Sequence, residues 1–271
     1  MDDHAWGAVL SDNTSPTVSV VIAALNEARN IPHVLGKLGP EVTQVVLVDG
    51  GSTDRTIEVT LEHRPDATVI RQTRTGKGNA LVCGFEACTG DVIAMIDADG
   101  SADPGEIPDF VAALTAGADY AKGTRFALGG HSTDITHLRN LGNKGLTGLV
   151  NVLYGTRYTD LCHGYNVFWR RIVPLMELPD PSLPRPADGS KIWGDGFEVE
   201  TLINVRLAAA GARVSEVKNV EYPRLHGESN LNTFRDGARV LRTIAIEYLR
   251  HRRQRAGRTA RPALVDQAAE R

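Results

Sequence analysis

The residues best placed to do chemistry are carboxylates. Asp97-Ala98-Asp99 sets two of them two positions apart, directly after the apolar run Val92 to Ile96. A short unbroken apolar run reads as a strand buried on both faces, and a spacing of two along a strand points both side chains the same way. Two carboxylates held that close repel each other unless a cation lies between them. Their oxygens suit a hard divalent ion such as Mg²⁺ or Mn²⁺. An isolated Asp-x-Asp is more often a turn cap beside a solvated acid, so the weight comes from its company. Two more apolar runs end in acid, at Glu27 and at Asp49, with Asp54 close behind the second. Lys77, flanked by two glycines, is placed to bring a cation to the same edge.

The elements that must position these residues follow from periodicity. Val18 to Ala23, Val45 to Val48, Ala67 to Arg71 and Val92 to Ile96 read as strands. Helices over about 28–38, 54–64, 79–88 and 104–116 separate and follow them. Asp103 before Pro104 is an N-cap followed by proline in the first turn. Four strand–helix alternations with short links predict an α/β fold with a mostly parallel central sheet and helices on both faces. In such sheets ligands bind outside the carboxyl ends of the strands, which is where Glu27, Asp49 and Asp97 gather. Beyond residue 116 the spacing predicts a strand over 119–126 carrying Lys122 and Arg125, and a helix over 135–154. A proline-rich loop covers 174–186, a helix 197–210, and a strand 214–222. Glu198 and Glu200, in the first turn of the helix after Gly194-Asp195-Gly196, can simply answer its dipole.

Composition bounds the rest. The 271 residues are 42% apolar and 23% charged, ordinary for a globular chain. Three cysteines, Cys83, Cys88 and Cys162, are odd in number and unpaired in spacing, which argues for a reducing compartment. Cys162-His163 is half of a zinc pattern with no second half. Nothing approaches the roughly 20 apolar residues that span a bilayer, and no signal-peptide pattern opens the chain. The expected location is cytoplasmic, with peripheral contact at the inner face of the membrane. Net charge is −3 overall, yet residues 233–271 carry ten arginines against four acids. Phe234, Ala238, Leu241, Ile244, Ala245, Tyr248 and Leu249 fall on one helical face there, with Arg235, Arg239, Arg242 and Arg250 off it. That basic amphipathic helix, set at 233–253, either lies on an anionic membrane or packs its apolar face on the domain. Residues 1–15 and 254–271 read as disordered, leaving 16–232 as the folded domain. No nucleic-acid partner is expected.

Two familiar phosphate motifs fail. Gly76-Lys-Gly78 has Leu81 where a dinucleotide fingerprint wants glycine, and Lys77 is followed by glycine where a Walker loop wants serine or threonine. Several short motifs instead come in a familiar order. They are Ala23-Ala-Leu-Asn-Glu27, Val48-Asp-Gly-Gly-Ser-Thr-Asp54, Gly76-Lys-Gly78, Asp97-Ala-Asp99, Gly123-Thr-Arg125, Gly196-Phe-Glu198 and Arg224-Leu-His-Gly227. In this order they resemble family 2 glycosyltransferases, most of all the polyprenyl-phosphate (dolichol-phosphate) mannosyl- and glucosyltransferases, over roughly residues 17–231. The resemblance implies a GT-A fold, a Rossmann-like sheet, and inverting transfer from a nucleotide-diphosphate sugar. The implied acceptor is a polyprenyl phosphate, and a divalent metal assists. It places Ala23, Leu25 and Glu27 at the base, Asp49 near base and ribose, and Lys77 on the nucleotide. Asp54 and Ala98 complete the nucleotide-sugar set. Asp97 and Asp99 fall at the ribose and the metal, and Arg125 and Arg224 face the diphosphate or the acceptor phosphate. The chain departs from the pattern at Ala23 and Leu25 (usually proline and an aromatic), Gly50 (usually a second Asp), Ser101 (commonly glutamine) and Asn230 (usually lysine).

A phosphate acceptor is already anionic and needs no strong base. A hydroxyl acceptor, on a saccharide or small molecule, would need one; Asp195, Glu198 and Glu200 are the candidates, with Asp195 expected to be the freest. A sugar-nucleotide-forming nucleotidyltransferase would want a basic glycine-rich loop where Ala23-Ala-Leu-Asn-Glu27 stands. A non-catalytic sugar-nucleotide-binding module need not keep Asp97, Asp99, Arg125 and Arg224 together.

Overall fold

The structure is a computed structural model that describes residues 15–227 and 233–259. The stretch before Ser15, read as disordered, lies outside the described residues, as do 228–232 and the end of the chain after Thr259. The four apolar runs form β1 (Val18–Ala24), β2 (Val42–Asp49), β3 (Thr68–Arg71) and β4 (Val92–Asp97), all parallel to their partners among these four. They are joined by α1 (Ile31–Gly36), α2 (Thr56–His63) and α3 (Lys77–Ala87). Val20, Val21, Ile22, Val46, Leu47 and Ile93 have no exposed surface, and each such side chain contributes about 1.5–3 kcal/mol. Continuous apolar runs mark β1, β2 and β4 because both of their faces are covered, whereas β3, at the sheet edge, is half-exposed.

After β4 the Asp103 carboxylate accepts from the Gly105 N–H and starts a 3₁₀ turn, Pro104–Glu106, that leads into α4 (Ile107–Thr115). The chain continues through β5 (Tyr120–Thr124), β6 (His131–Ser132), α5 (His137–Tyr154) and β7 (Asn166–Trp169). A 3₁₀ segment, Arg170–Met176, a long loop and α6 (Val199–Ala209) follow, then β8 (Val214–Lys218), β9 (Val220–Glu221) and α7 (Thr233–Thr259). The main sheet has the order β3-β2-β1-β4-β7-β5-β8, and β7 runs antiparallel to both neighbours; β6 and β9 form a small separate pair.

This order fixes the site. From β1 the chain steps outward to β2 and β3, then returns past β1 to β4. Right-handed crossovers therefore put α1 and α2 on one face and α3 on the other, and α3 indeed packs on β1 and β2. Such a reversal opens a crevice at the carboxyl ends of β1 and β4. Register brings the acids level there: Ala23 pairs with Asp97 and Ala24 with Asp49.

Two expectations change. The first helix, expected from residue 28, starts at Ile31 because Pro32 sits in its first turn. Residues 25–30 form a turn instead, with Asn26 at φ 58°. The last helix, expected to stop near 253, continues to Thr259. The packing alternative holds for only part of the expected apolar face, since Ile244 is buried in a cluster with Val150 and Val205. Phe234, Ala238, Leu241, Ala245 and Leu249 are exposed, while Asp236, Thr243, Ile244 and Glu247 face the domain. Arg206 clamps Glu247 at 2.9 Å, and Arg239 reaches Glu198 at 3.6 Å. Beside α7, α5 also exposes apolar side chains: Val150 is buried with Leu146, Leu149 and Leu153 packed about it, while Leu138, Leu141 and Val152 are 52%, 70% and 83% exposed.

Candidate active site

A cleft of about 760 Å³ opens at the carboxyl edge of β1 and β4, within the range of small-ligand sites. Ala23 near the end of β1 lines it, with Leu25 and Glu27 just beyond, Lys77 at the start of α3, Asp97 at the end of β4, and Ala98 and Asp99 after it. Arg125 and Arg224 line it from the other side. The structure thus brings nine of the twelve candidate residues into one cavity.

The cavity is held by alternating charge. Lys77 Nζ lies 2.6 Å from Asp97 and 2.7 Å from Glu200. Burial works against this ammonium, but the two carboxylates outweigh it and hold its pKa well above the usual lysine value. Burial likewise opposes ionisation of Asp97, and Lys77 outweighs it, so the Asp97 carboxyl titrates below the usual range. Arg224 bridges Glu27 at 2.7 Å and Asp99 at 3.1 Å. Its segment is docked on the Asp99 loop by backbone bonds from Tyr222 to Ser101 and from Leu225 to Asp99. Gly164 leaves room for these pairs, since a Cβ there would sit 3.3 Å from both Asp97 Oδ2 and Lys77 Nζ.

Asp97 and Asp99 offer hard oxygen donors of the kind a Mg²⁺ or Mn²⁺ ion takes, but no group of three or more His, Cys, Asp or Glu residues suited to a metal occurs among the described residues. That donor set fits an ion completed by substrate phosphates and water, the usual condition of Mg²⁺.

Three candidates lie elsewhere. Asp49 is fully buried, and its carboxylate accepts the N–H groups of Gly51 and Ser52 at 3.0 Å. It closes an Asx turn, while Gly50 beside it lines the cleft. Asp54 accepts from the Ala28 N–H and from Thr56, whose hydroxyl in turn accepts the Glu27 N–H. Asp54 therefore shapes the loop that presents Glu27 and does not itself reach the cavity. Asp195, expected to be the freest base, is the most tightly held. It is 1% exposed and takes a two-point fork from Arg74 at 2.7 and 2.9 Å. The other two candidate bases are engaged as well, Glu198 by the Gly194 and Gly196 N–H groups and Glu200 by Lys77. Arg125 lines the cleft, but its guanidinium is committed to Asp160 at 2.7 Å and Glu221 at 2.9 Å, which corrects the expectation that it is poised for a phosphate.

Sequence reading missed several residues in the cavity wall, among them Gln72, Asp134, Asn143, His163 and Lys191. In the sequence His163 shows only as half of a zinc pattern. Asn219 donates its amide N–H to Glu106 and so presents its oxygen to His163 Nε2 at 2.5 Å, which assigns the ring proton to Nε2. Burial, with Arg125 nearby, lowers the His163 pKa to about 3, so the ring is neutral. The glycines of Gly76-Lys-Gly78 serve a close contact: Gly76 has φ 135°, and a Cβ on it would fall 2.0 Å from the Asp195 carbonyl.

The family model for glycosyl transferase family 2 matches residues 19–174. The chain belongs to glycosyltransferase family 2. An uncharacterized glycosyltransferase of Mycobacterium tuberculosis is 41% identical over 215 residues, which cover 79% of this chain and 89% of that protein. The undecaprenyl-phosphate mannosyltransferase of Micrococcus luteus is 28% identical over 224 residues, 79% of this chain and 87% of that one. The solved structure of glucosyl-3-phosphoglycerate synthase from M. tuberculosis, in complex with Mn²⁺, UDP and phosphoglyceric acid, matches with a TM-score of 0.64 at 23% identity. It covers 86% of this glycosyltransferase and 78% of its own chain. At that identity the likeness establishes the fold, GT-A, and the family establishes the enzyme class, a hexosyltransferase.

Proposed function

We propose that this glycosyltransferase moves a hexose from a nucleotide-diphosphate sugar to a polyprenyl phosphate at a membrane surface, with inversion at the sugar carbon. The observation that carries the acceptor is the state of the three acids once open as bases. Asp195, Glu198 and Glu200 are all bound to cations or backbone amides, whereas a phosphate oxygen attacks as an anion and asks for no base. The apolar stretch of cleft wall formed by Leu138, Leu146 and Val240 supports a lipid-borne acceptor, and so do the exposed apolar faces of α5 and α7. The polyprenyl-phosphate enzyme among the relatives supports the same class.

In this reading an acceptor oxygen attacks C1 of the sugar, the C1–O bond to the diphosphate breaks in line, and the nucleoside diphosphate leaves. Asp97 and Asp99 would hold a Mg²⁺ or Mn²⁺ ion, whose chemistry is to neutralise charge on the departing diphosphate; the Mn²⁺–UDP complex of the structural neighbour supports that choice. Arg224 is released from Glu27 and Asp99 toward the same charge, and Lys77 fixes the orientation of Asp97. Ala23, Leu25 and Gly50 are assigned to the base. Holding donor and acceptor in one cavity supplies much of the remaining acceleration.

The test is transfer from radiolabelled GDP- and UDP-sugars to undecaprenyl phosphate in detergent with Mn²⁺. Label that partitions into organic solvent is the expected product; label confined to water-soluble products rejects a lipid acceptor. A hydroxyl acceptor would fall to Asp134, a cleft residue for which no ion pair is found among the described residues. Asp134→Asn should leave turnover within about twofold, whereas a loss of roughly 10²–10⁴ would mark it as a general base.

A further inference from the structure

Most cations of the cleft are already spoken for. Lys77, Arg125 and Arg224 each bridge two carboxylates. Lys191 also lines the cavity, and among the described residues it makes no ion pair. It belongs to the loop between the 3₁₀ segment and α6, and that loop is clasped onto residues 73–78. One buried guanidinium does most of this. Arg74 forks onto Asp195 and also donates to the carbonyls of Asp180, Pro181 and Leu183 at 2.9, 3.2 and 2.9 Å. The Thr73 hydroxyl donates to Pro181 at 2.7 Å, and Gly78 N–H to the Asp195 carbonyl at 2.9 Å. The clasp sets Lys191 Nζ 3.4 Å from where a Cβ on Gly76 would stand, and Gly76 directly precedes Lys77 in the chain.

We infer that Lys191 is a phosphate-binding residue of this glycosyltransferase, and that Arg74 is the positioning residue that delivers it. The inference rests on the glycosyl-transfer reading above. A cavity that must take a diphosphate beside two aspartates gains from a cation that no carboxylate has to release first, and Lys77, Arg125 and Arg224 each bridge two carboxylates in this structure. The ligand is a phosphate oxygen, either of the donor's diphosphate or of a phosphorylated acceptor. Arg74 acts at a distance: it fixes the loop backbone at Asp180, Pro181 and Leu183 and the loop's end at Asp195, so the lysine between them has a defined reach.

The experiment compares wild type, Lys191→Gln, Lys191→Arg and Arg74→Lys by titration calorimetry and steady-state kinetics with Mg²⁺. Lys191 is exposed, so its variants are expected to fold. Loss of one charge-assisted contact should weaken binding about tenfold. If the ligand is the donor, Lys191→Gln loses that factor for GDP or UDP but not for GMP or UMP, and Lys191→Arg recovers most of it. If it is the acceptor, nucleotide affinities hold while KM for undecaprenyl phosphate rises about tenfold at constant kcat. Wild-type values in both arms overturn the assignment of Lys191. Arg74→Lys keeps a charge but cannot span Asp195 and the three carbonyls. It should repeat the Lys191→Gln defect although Arg74 does not line the cleft, and wild-type affinity in a folded Arg74→Lys would overturn the positioning role. If wild type binds none of GDP, UDP, ADP and dTDP, the reading of this cleft as the donor site falls with it; if it binds one and Lys191→Gln is indifferent in both arms, only the present inference falls.

Discussion

Asp97 and Asp99 leave one strand end, yet their partners divide the work between them. Asp97 is fixed by Lys77, which Glu200 also holds, whereas Asp99 meets Arg224, which lies outside the main sheet on the segment after β9. Asp99→Asn should therefore lower kcat/KM by roughly 10²–10³, the scale of a lost electrostatic contact at developing charge. The circular dichroism and melting temperature should stay near wild type; unchanged turnover would remove Asp99 from the site. His163 gives a prediction about pH. Its pKa is about 3 in the fold, from burial first and then Arg125, and about 6.5 when unfolded. Between those values the unfolded chain binds the extra proton, so stability rises with pH across that window and levels off above it. Acidifying from pH 7 to 5 should cost roughly 2 kcal/mol through this residue alone. Urea unfolding at the two pH values should show a smaller difference in His163→Gln; an identical difference would show that the ring is not the group responsible.

At the scale of elements, the loop clasp explains why Asp195 is conspicuous in the sequence but not reactive. Arg74 and Asp195 lie 121 positions apart and are 3% and 1% exposed. Removing one partner of a buried pair typically costs about 3–5 kcal/mol because the other charge is stranded. Asp195→Ala should lose stability on that scale in urea unfolding. A general base would behave in the opposite way, with near-native stability and a collapsed kcat. This also marks what the sequence could and could not disclose. The strands were legible because a two-sided burial leaves an unbroken apolar run, as in Val18–Ala24 and Val92–Asp97. The switch-point site was legible because Glu27, Asp49 and Asp97 follow or end three of the four runs. Which of those acids turn inward to cap a loop was not, since Asp49 and Asp97 look alike until the Gly51 and Ser52 amides are seen to claim one of them. Pairings such as Arg125 with Asp160 and Glu221 depend on the antiparallel entry of β7 and on the break at Asn219 that splits the expected strand over 214–222 into β8 and β9, which no periodicity discloses.

For the molecule as a whole, the question is what covers the outer faces of α5 and α7. No helix among the described residues is long and apolar enough to cross a membrane. These two lie side by side in the same direction, joined at one end by Arg139 and Thr233 and at the other by the Tyr154 and Tyr248 rings. Each buries part of its apolar surface, Val150 and Ile244 being fully buried, and leaves the rest on an outer face, with Phe234 77% and Leu141 70% exposed. Arg235, Arg242, Arg252 and Arg253 surround the apolar positions of α7. An apolar strip edged with arginine matches an anionic bilayer, where each basic group near the surface adds about 1 kcal/mol and a buried phenylalanine about 1.5–3 kcal/mol. Wild type should co-sediment with vesicles containing phosphatidylglycerol and less with phosphatidylcholine alone, and high salt should weaken the association. Phe234→Glu with Leu141→Glu should reduce binding to the anionic vesicles by at least tenfold. Transfer to a short-chain, water-soluble polyprenyl phosphate should be unchanged, because neither residue lines the cleft. Equal sedimentation of wild type and the double variant would rule out this face as the contact and leave the acceptor to arrive from solution.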